Sequence, residues 1–272
     1  MSASAIESFN RLTNFSQEIA ALEALRKARR SKIKSYPSLS VLVSTLRGDD
    51  LTNLLSQLID QTLPKFELQL GLHNLALSPT HKKLIAALAK RGVRTNHHAY
   101  DSTFNLGMIL TDLAQKSSSE YIAKMDDDDY YGPEHLRDLL DTALDTDADV
   151  VGKAMNYVYL EPLQITVRRF SQNGIQAVEL WSDWVCGGTI LARREAAKLA
   201  GYFGNVHTAV DRYLLSGVTN SGGKIYRTFG AGYIYRRTYT AHTYVTNYSK
   251  YLNGANEQVV GVWNHPIFGG NK

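Results

Sequence analysis

The chain has 272 residues, 44% of them hydrophobic and 21% charged, so its composition is that of a globular protein rather than a disordered or fibrous one. A single cysteine, Cys186, excludes an intrachain disulfide framework and a cysteine-based zinc cluster. The net charge of +4 suits an anionic ligand as readily as an anionic membrane surface. No apolar run reaches the ~18 residues that span a bilayer and no secretory signal is evident, so we expect a cytoplasmic protein.

Residues 1–35 are predicted to form an N-terminal amphipathic helix. Apolar side chains recur there at three- and four-residue spacing, which is the period of a helix with one buried face. Two interpretations of the basic end of this helix stay open: a solvated face, which we favour, or peripheral contact with anionic lipid at the inner face of the membrane. The basic residues are Arg26, Lys27, Arg29, Arg30, Lys32 and Lys34.

The next part of the chain alternates between short apolar runs and amphipathic stretches, which is typical of βαβ units. Residues 47–50 are predicted to form a turn. This alternation favours a mostly parallel sheet flanked by helices, in which ligands bind at the carboxyl ends of the strands. The predicted strands are 39–46, 66–72, 92–98 and 121–125, and the predicted helices are 51–59, 80–91, 106–115 and 135–144.

The second half of the chain is richer in predicted β-structure. No interdomain linker is evident, so we expect residues 36–246 to form one α/β domain whose C-terminal half is the more β-rich. The tail over residues 247–272 is rich in Asn and Gly and is predicted to be a mobile flap. The predicted strands of this half are 150–159, 165–170, 176–180, 224–229 and 233–239, with short helices at 193–199 and 210–215.

Four consecutive carboxylates, Asp126–Asp129, directly follow the apolar strand at 121–125. On a surface loop such a run is normally solvated and inert, but here a buried strand delivers it to the carboxyl edge of the sheet. Clustering anions there costs free energy unless a cation binds. Mn²⁺ or Mg²⁺ suits such oxygen ligands, because these ions typically take one or two carboxylates plus substrate phosphates. A calcium EF-hand is excluded, because a strand precedes the run where a helix is required.

This acidic run belongs to a wider pattern. Thr45 and Arg47 end the first strand, Asn105-x-Gly107 opens a helix, and the segment Trp184–Glu195 contains a glycine pair. Together these features resemble a family-2 glycosyltransferase of the GT-A fold, over about residues 38–245. The resemblance implies an α/β domain of GT-A type, with a mostly parallel sheet flanked by helices and a β-rich acceptor half. It also implies a nucleotide-diphosphate sugar as donor.

The resemblance implies roles for several residues near the donor. Asp126 and Asp128 would occupy the Asp-x-Asp positions, with Asp128 on the metal and Asp126 on the metal or the ribose. Thr45, Arg47 and Asp127 would lie beside the nucleotide sugar.

The same resemblance implies the base and the acceptor loop. Asp211 would be the catalytic base, although Val210 stands where the family usually has a glutamate before it. His242 is a candidate third metal ligand, although a structural role for this histidine stays open and is the one that a lone histidine beside aromatic residues more often has. The residues implied to face the acceptor are Trp184, Gly187 and Gly188.

The sequence therefore predicts a metal-dependent, inverting glycosyltransferase that acts on a hydroxyl group of a glycan or lipid-linked acceptor. Two alternatives stay open: a nucleotidyltransferase that makes nucleotide sugars, or a non-catalytic glycan-binding protein that retains the fold. The non-catalytic alternative stays open because Val210 and His73-Asn74 stand where the family often has carboxylates. No dinucleotide-binding glycine motif, P-loop or nucleophile elbow occurs, and no basic–aromatic stripe indicates a nucleic-acid partner.

Overall fold

A computed structural model describes residues 14–171, 173–238 and 247–270. Its strands are β1 (Leu39–Thr45), β2 (Glu67–His73), β3 (Arg94–Tyr100), β4 (Tyr121–Lys124), β5 (Tyr130–Tyr131), β6 (Val150–Lys153), β7 (Tyr157–Leu160), β8 (Ile165–Arg168), β9 (Leu180–Trp181), β10 (Leu191–Arg193), β11 (Ile225–Thr228), β12 (Tyr233–Arg237) and β13 (Glu257–Val260). Its helices are α1 (Phe15–Arg30), α2 (Gly48–Ile59), α3 (Pro79–Lys90), α4 (Leu106–Lys116), α5 (His135–Thr146), α6 (Arg194–Leu199), α7 (Val210–Asn220) and α8 (Ser249–Leu252).

The central sheet has eight strands in the order β3-β2-β1-β4-β10-β6-β11-β9. Strand β1 runs parallel to its neighbours β2 and β4, and β2 runs parallel to β3, as expected for βαβ units. Strand β10 lies antiparallel between β4 and β6 and so joins the two halves of the chain. The fold class predicted from the sequence is confirmed as an α/β domain with a mostly parallel sheet.

Helices cover both faces of this sheet. Strand β1 illustrates why both faces need a cover. Val41 and Val43 belong to one hydrophobic cluster, whereas Leu42 between them belongs to the other. A strand that is buried on both faces of the sheet is apolar at consecutive positions, which explains the apolar run at β1. The first cluster contains side chains from α2, α3 and α5, and the second contains side chains from α4, α6 and α7.

Some element boundaries differ from the prediction. Helix α2 begins at Gly48, inside the predicted turn, and its first turn contains Asp49 and Asp50. Acidic side chains are favoured at that end of a helix by its dipole, so the residues chosen as turn formers also suit a helix start. Helix α7 continues to Asn220, five residues beyond the predicted end.

A second sheet has five strands in the order β13-β8-β7-β12-β5, and side chains of β7 and β12 share a hydrophobic cluster with Leu22 and Leu25 of α1. The strand predicted over 150–159 is two strands, β6 and β7, which belong to different sheets. The tail predicted as a flap contributes β13, which pairs antiparallel with β8, and buries Trp263 and Phe268. Residues 247–270 are therefore packed against the domain.

Helix α1 is attached to the domain by ion pairs. Arg26 lies 2.6 Å from Asp138, Arg29 lies 2.6 Å from Glu179, and Arg30 lies 2.7 Å from Asp141. The three arginines of the basic cluster thus bind acidic side chains of α5 and of the segment before β9. The lysines of this cluster are exposed, so membrane contact stays a prediction that depends on them. Among the described residues, every helix is too short or too polar to cross a bilayer.

Candidate active site

The acidic run lies where the central sheet brings two strand ends together. Strand β4 ends at Lys124, and the Met125 N–H donates to the Leu42 carbonyl of β1 at 3.1 Å. Asp126–Asp129 therefore leave the sheet at its carboxyl edge, beside the residues that follow β1. This is the edge at which open α/β sheets bind their ligands.

Thr45 and Arg47 contact the second and third aspartates of the run. The Thr45 hydroxyl donates to Asp127 Oδ2 at 2.5 Å, and the Arg47 guanidinium forms ion pairs with Asp127 and, at 3.0 Å, with Asp128. Burial raises the pKa of Asp127, and Arg47 opposes that increase. Because Asp127 is buried and bound by both residues, it fixes the run to the end of β1. Its contact with a nucleotide sugar stays a prediction.

Asp128 lies nearer the surface of the cleft, with 16% of its side chain exposed. Burial and the adjacent charge of Asp126 raise the pKa of Asp128 to about 6, although Arg47 acts in the opposite direction. A carboxyl group with a raised pKa beside a second carboxylate marks an excess of negative charge. A divalent cation would stabilise that arrangement, so Asp126 and Asp128 fit the ion predicted from the sequence.

The rest of the predicted metal site is less defined. Among the described residues, no three side chains of His, Cys, Asp or Glu converge as a ready metal cluster. His242 lies outside the described residues, so its role as a third ligand stays a prediction. Two carboxylates are nevertheless a common protein contribution to a Mg²⁺ or Mn²⁺ ion that also binds phosphate oxygens.

A buried lysine joins the acidic run to the predicted base. Lys124 Nζ lies 2.7 Å from Asp126 Oδ1 and 3.1 Å from Asp211 Oδ1, and it donates to the Gly187 carbonyl at 3.2 Å. The lysine side chain is 2% exposed, whereas the two carboxylates are 34% and 33% exposed. Burial lowers the pKa of Lys124, but Asp126 and Asp211 more than offset this effect and raise it. The amino group is therefore charged and holds both carboxylates at the same edge of the cleft.

Asp211 lies in the first turn of α7 and reaches this lysine. Enclosure by the surrounding protein raises the pKa of Asp211, Lys124 opposes the increase, and Asp126 adds to it. A carboxyl group with a raised pKa is a better proton acceptor near neutral pH. The helix is preceded by Ala209 in a left-handed conformation, with φ at +57°, and such strained residues are frequent beside functional sites.

Gly187 and Gly188 of the predicted acceptor loop lie so close to the carboxylates that both positions require glycine. A Cβ atom on Gly187 would lie 1.9 Å from Asp211 Oδ2. A Cβ atom on Gly188 would lie 2.8 Å from Asp129 Oδ2 and 3.0 Å from Asp126 Oδ2. Only a residue without a side chain allows the backbone to pass this close, so the loop forms one wall of the cleft.

Trp184 lies at the start of this wall and has packing contacts. Its half-buried ring packs against the hydrophobic core, and the Arg227 guanidinium carbon lies 5.9 Å from the ring centroid. The structure thus brings Gly187 and Gly188 to the carboxylates, while the acceptor contact predicted for Trp184 stays a prediction.

The fourth aspartate has a structural function that the sequence did not predict. Asp129 is buried and accepts hydrogen bonds from the Tyr233 hydroxyl at 2.6 Å and from the Arg236 N–H at 2.9 Å. Burial is the main cause of its raised pKa. These bonds attach β12 of the second sheet to the acidic run, and so connect the two sheets at the cleft.

Two more residues of the site were missed from the sequence. The Tyr131 hydroxyl donates to the Gly188 carbonyl at 2.9 Å and accepts from the Asp126 N–H at 2.8 Å. Nothing in the local pattern indicates these distant partners. Lys124 did leave a signal, because a lysine inside a buried strand is rare unless it is paired with a charged group.

Comparison with known proteins gives a family for the middle of the chain. The model of glycosyl transferase family 2 matches residues 104–199. That match extends from α4 to α6 and contains both the acidic run and the glycine pair. A comparison with curated protein sequences finds no match.

Solved structures share the fold at low sequence identity. Staphylococcus aureus TarS 1-349 in complex with UDP-GlcNAc has a TM-score of 0.60 and 18% identity, over 77% of this chain and 62% of that one. The mannosyltransferase PcManGT from Pyrobaculum calidifontis, in complex with GDP-Man and Mn²⁺, has a TM-score of 0.57 and 13% identity, over 88% of this chain and 70% of that one. The chain thus spans less than two thirds of the TarS fragment.

Family match and fold together define the class of protein. The central sheet and its flanking helices share the GT-A fold of these glycosyltransferase structures, and the acidic run lies at the end of one of its strands. Residues 104–199 match the model of glycosyl transferase family 2, in agreement with the family resemblance predicted from the sequence.

Proposed function

We propose that this domain transfers a sugar from a nucleoside-diphosphate sugar to a hydroxyl group of a glycan or lipid-linked acceptor, with inversion and with a divalent cation. The observation that carries the proposal is the convergence of Asp126 and Asp211 on Lys124, with Asp128 beside them. The two similar structures bind UDP-GlcNAc and GDP-Man, and one also binds Mn²⁺, which supports this class of donor.

Asp211 is proposed to act as the general base. The acceptor hydroxyl attacks the anomeric carbon of the donor, its proton passes to the Asp211 carboxylate, and the bond from that carbon to the diphosphate oxygen breaks. The bonding electrons leave with the diphosphate. A single displacement of this kind inverts the anomeric centre, and a well-placed base contributes about 10²- to 10⁴-fold to the rate.

Asp126 and Asp128 are proposed to hold the cation on the donor side of the cleft. Mn²⁺ or Mg²⁺ bound there offsets the negative charge that develops on the leaving diphosphate. Arg47 pairs with Asp127 and Asp128 and lies at the same edge, so it adds positive charge near the nucleotide.

Binding is tested by thermal unfolding in the presence of UDP-GlcNAc or GDP-Man, with and without Mn²⁺. A ligand at a hundred times its Kd stabilises the folded state by about 2.7 kcal/mol, which raises the Tm measurably. We expect Asp128→Asn to lose the Mn²⁺-dependent part of this increase. The matched control is Asp147→Asn, because Asp147 is 92% exposed and lies in the turn before β6. Equal Mn²⁺-dependent stabilisation of Asp128→Asn and the wild type would remove the cation from the proposal.

Turnover separates the proposal from its alternatives. We expect Asp211→Asn to keep donor binding and lose transfer, because only the proton acceptor is removed. Release of nucleoside diphosphate indicates glycosyl transfer, whereas consumption of a nucleoside triphosphate with release of pyrophosphate indicates a nucleotidyltransferase. Absence of any donor-dependent stabilisation would favour the non-catalytic glycan-binding alternative.

A further inference from the structure

We propose that Lys124 is a positioning residue of the transfer reaction, whose ammonium group holds the Asp211 carboxylate in place relative to Asp126. The inference rests on the proposed function, because it takes Asp211 as the base. It adds a role for a buried residue that acts through the Asp211 carboxylate.

Lys124 is well suited to fix other groups because its own position is fixed. It is the last residue of β4, between β1 and β10 of the central sheet. Its N–H donates to the Ile190 carbonyl at 2.8 Å, and its side chain is 2% exposed. The ammonium group therefore has one available place, from which three contacts diverge: to Asp126, to Asp211 and to the Gly187 carbonyl.

Asp211 depends on such a contact for its orientation. One third of its side chain is exposed, so the protein packing leaves it room to rotate into the cleft. Its Oδ2 lies against the Gly187 backbone, and its Oδ1 lies 3.1 Å from Lys124 Nζ. Asp126 contacts the same nitrogen, so without the ammonium group two like charges face each other across the vacated space. Repulsion then turns Asp211 away from the acceptor side.

Loss of the Lys124 ammonium group should lower kcat and leave the KM for the donor unchanged. A displacement of about 1 Å in a reacting group can lower the rate on the order of 10²-fold, so removal of the ammonium group should lower kcat by about that factor. Donor binding should be kept, because loss of a cation beside Asp126 does not weaken the attraction of that carboxylate for another cation. A merely structural lysine would change kcat and KM together or would change neither.

The chain contains a matched control for the replacement of Lys124 by methionine, which removes the ammonium group. Lys153 is also the last residue of a central strand, β6, and its side chain is fully buried. It lies 3.6 Å from Asp138 and donates to the Ala231 carbonyl, away from Asp126 and Asp211. Lys153→Met therefore removes a comparable buried ammonium group from outside the proposed machinery.

The test compares Lys124→Met, Lys153→Met and the wild type for hydrolysis of UDP-GlcNAc or GDP-Man, whichever stabilises the wild type. We expect a kcat about 10²-fold lower with an unchanged donor KM for Lys124→Met, and a normal kcat for folded Lys153→Met. In the background of Asp211→Asn, Lys124→Met should cause no further loss, because both changes act through the same carboxylate. A normal kcat for Lys124→Met, or a further loss in the double variant, would overturn the proposal.

Two measurements keep the inference separate from the proposed function and from folding. A crystal structure of Lys124→Met should show Asp211 turned out of its wild-type position, and an unchanged Asp211 would overturn the inference whether or not the wild type turns over either donor. Should Lys124→Met fail to fold, Lys124→Gln removes the positive charge with a shorter polar side chain and is judged by the same two criteria. A wild type inactive with both donors would count against the proposed function.

Discussion

Gly187→Ala offers the sharpest test of the assignment of Asp211. The added methyl carbon would lie 1.9 Å from Asp211 Oδ2 and 2.3 Å from its Cγ, where ordinary contacts begin near 3.4 Å. The carboxylate must therefore move by about 1.5 Å, which is enough to misalign a proton acceptor. Because one third of the Asp211 side chain is exposed, it can move into the cleft without disturbing the core.

We expect this substitution to separate activity from stability. Misplacement on the scale of 1 Å costs about 10²-fold in rate, which corresponds to about 2.7 kcal/mol in the activation free energy. The free energy of unfolding should change much less, since no buried apolar group is lost. Steady-state kinetics with the stabilising donor and urea unfolding of the same preparation measure the two quantities.

Gly48→Ala is the matched control for this experiment. A Cβ atom there would lie 3.6 Å from the nearest atom of His81, which is an ordinary contact, although Gly48 begins α2 at the same edge of the sheet. The control should keep its activity. If Gly187→Ala also kept a normal kcat while a structure showed Asp211 displaced, the proton acceptor would be another residue.

The remaining predictions concern pH and the attachment of α1. Mn²⁺-dependent donor binding should weaken as the pH falls through about 6, because a proton then competes with the cation for Asp128. Calorimetry one pH unit above and one pH unit below this value measures the two donor affinities, and equal affinities would contradict the prediction. Asp138→Asn should lower the free energy of unfolding by about 3–5 kcal/mol, because Arg26 and Lys153 lose their buried carboxylate partner. Burial raises the pKa of Asp138, but Arg26 and Lys153 outweigh burial and hold this pKa below the ordinary value of an aspartate. The contribution of Asp138 to stability is therefore complete at neutral pH and is lost as the pH falls through the lowered pKa, so a urea series over pH should show the deficit of the variant disappearing in acid.

The first half of the fold could be read from the sequence because its signals are local. Strands β1, β2 and β4 carry recurring buried apolar side chains, whereas β3 is a polar strand at the edge of the sheet. The helices of this half have their own three- to four-residue apolar period. The edge at which Asp126–Asp129 lie also follows from chain order, since parallel strands present their carboxyl ends together. These features depend on nothing distant in the chain.

The second half depends on partners far apart in sequence. Lys153 and Asn156 interrupt the apolar side chains of the run over 150–159, but this interruption alone does not indicate that β6 and β7 enter different sheets. Strand β13 is defined by its pairing with β8, about ninety residues earlier. The hydrogen bond from Tyr233 to Asp129 links positions 104 residues apart, so the structural function of that aspartate was beyond local reasoning.

The two ends of the described domain also pack against each other. The ring of Phe15 at the start of α1 lies 4.8 Å from Trp263 and 6.2 Å from Phe268, and Leu22 and Leu25 belong to the same hydrophobic cluster. Because Phe15 lies this close to Trp263 and Phe268, the domain suits circular permutation, in which a peptide joins the segments beyond these residues and new ends are opened elsewhere on the surface. Shortening either end alone would instead uncover the aromatic surface of the other and expose it to aggregation.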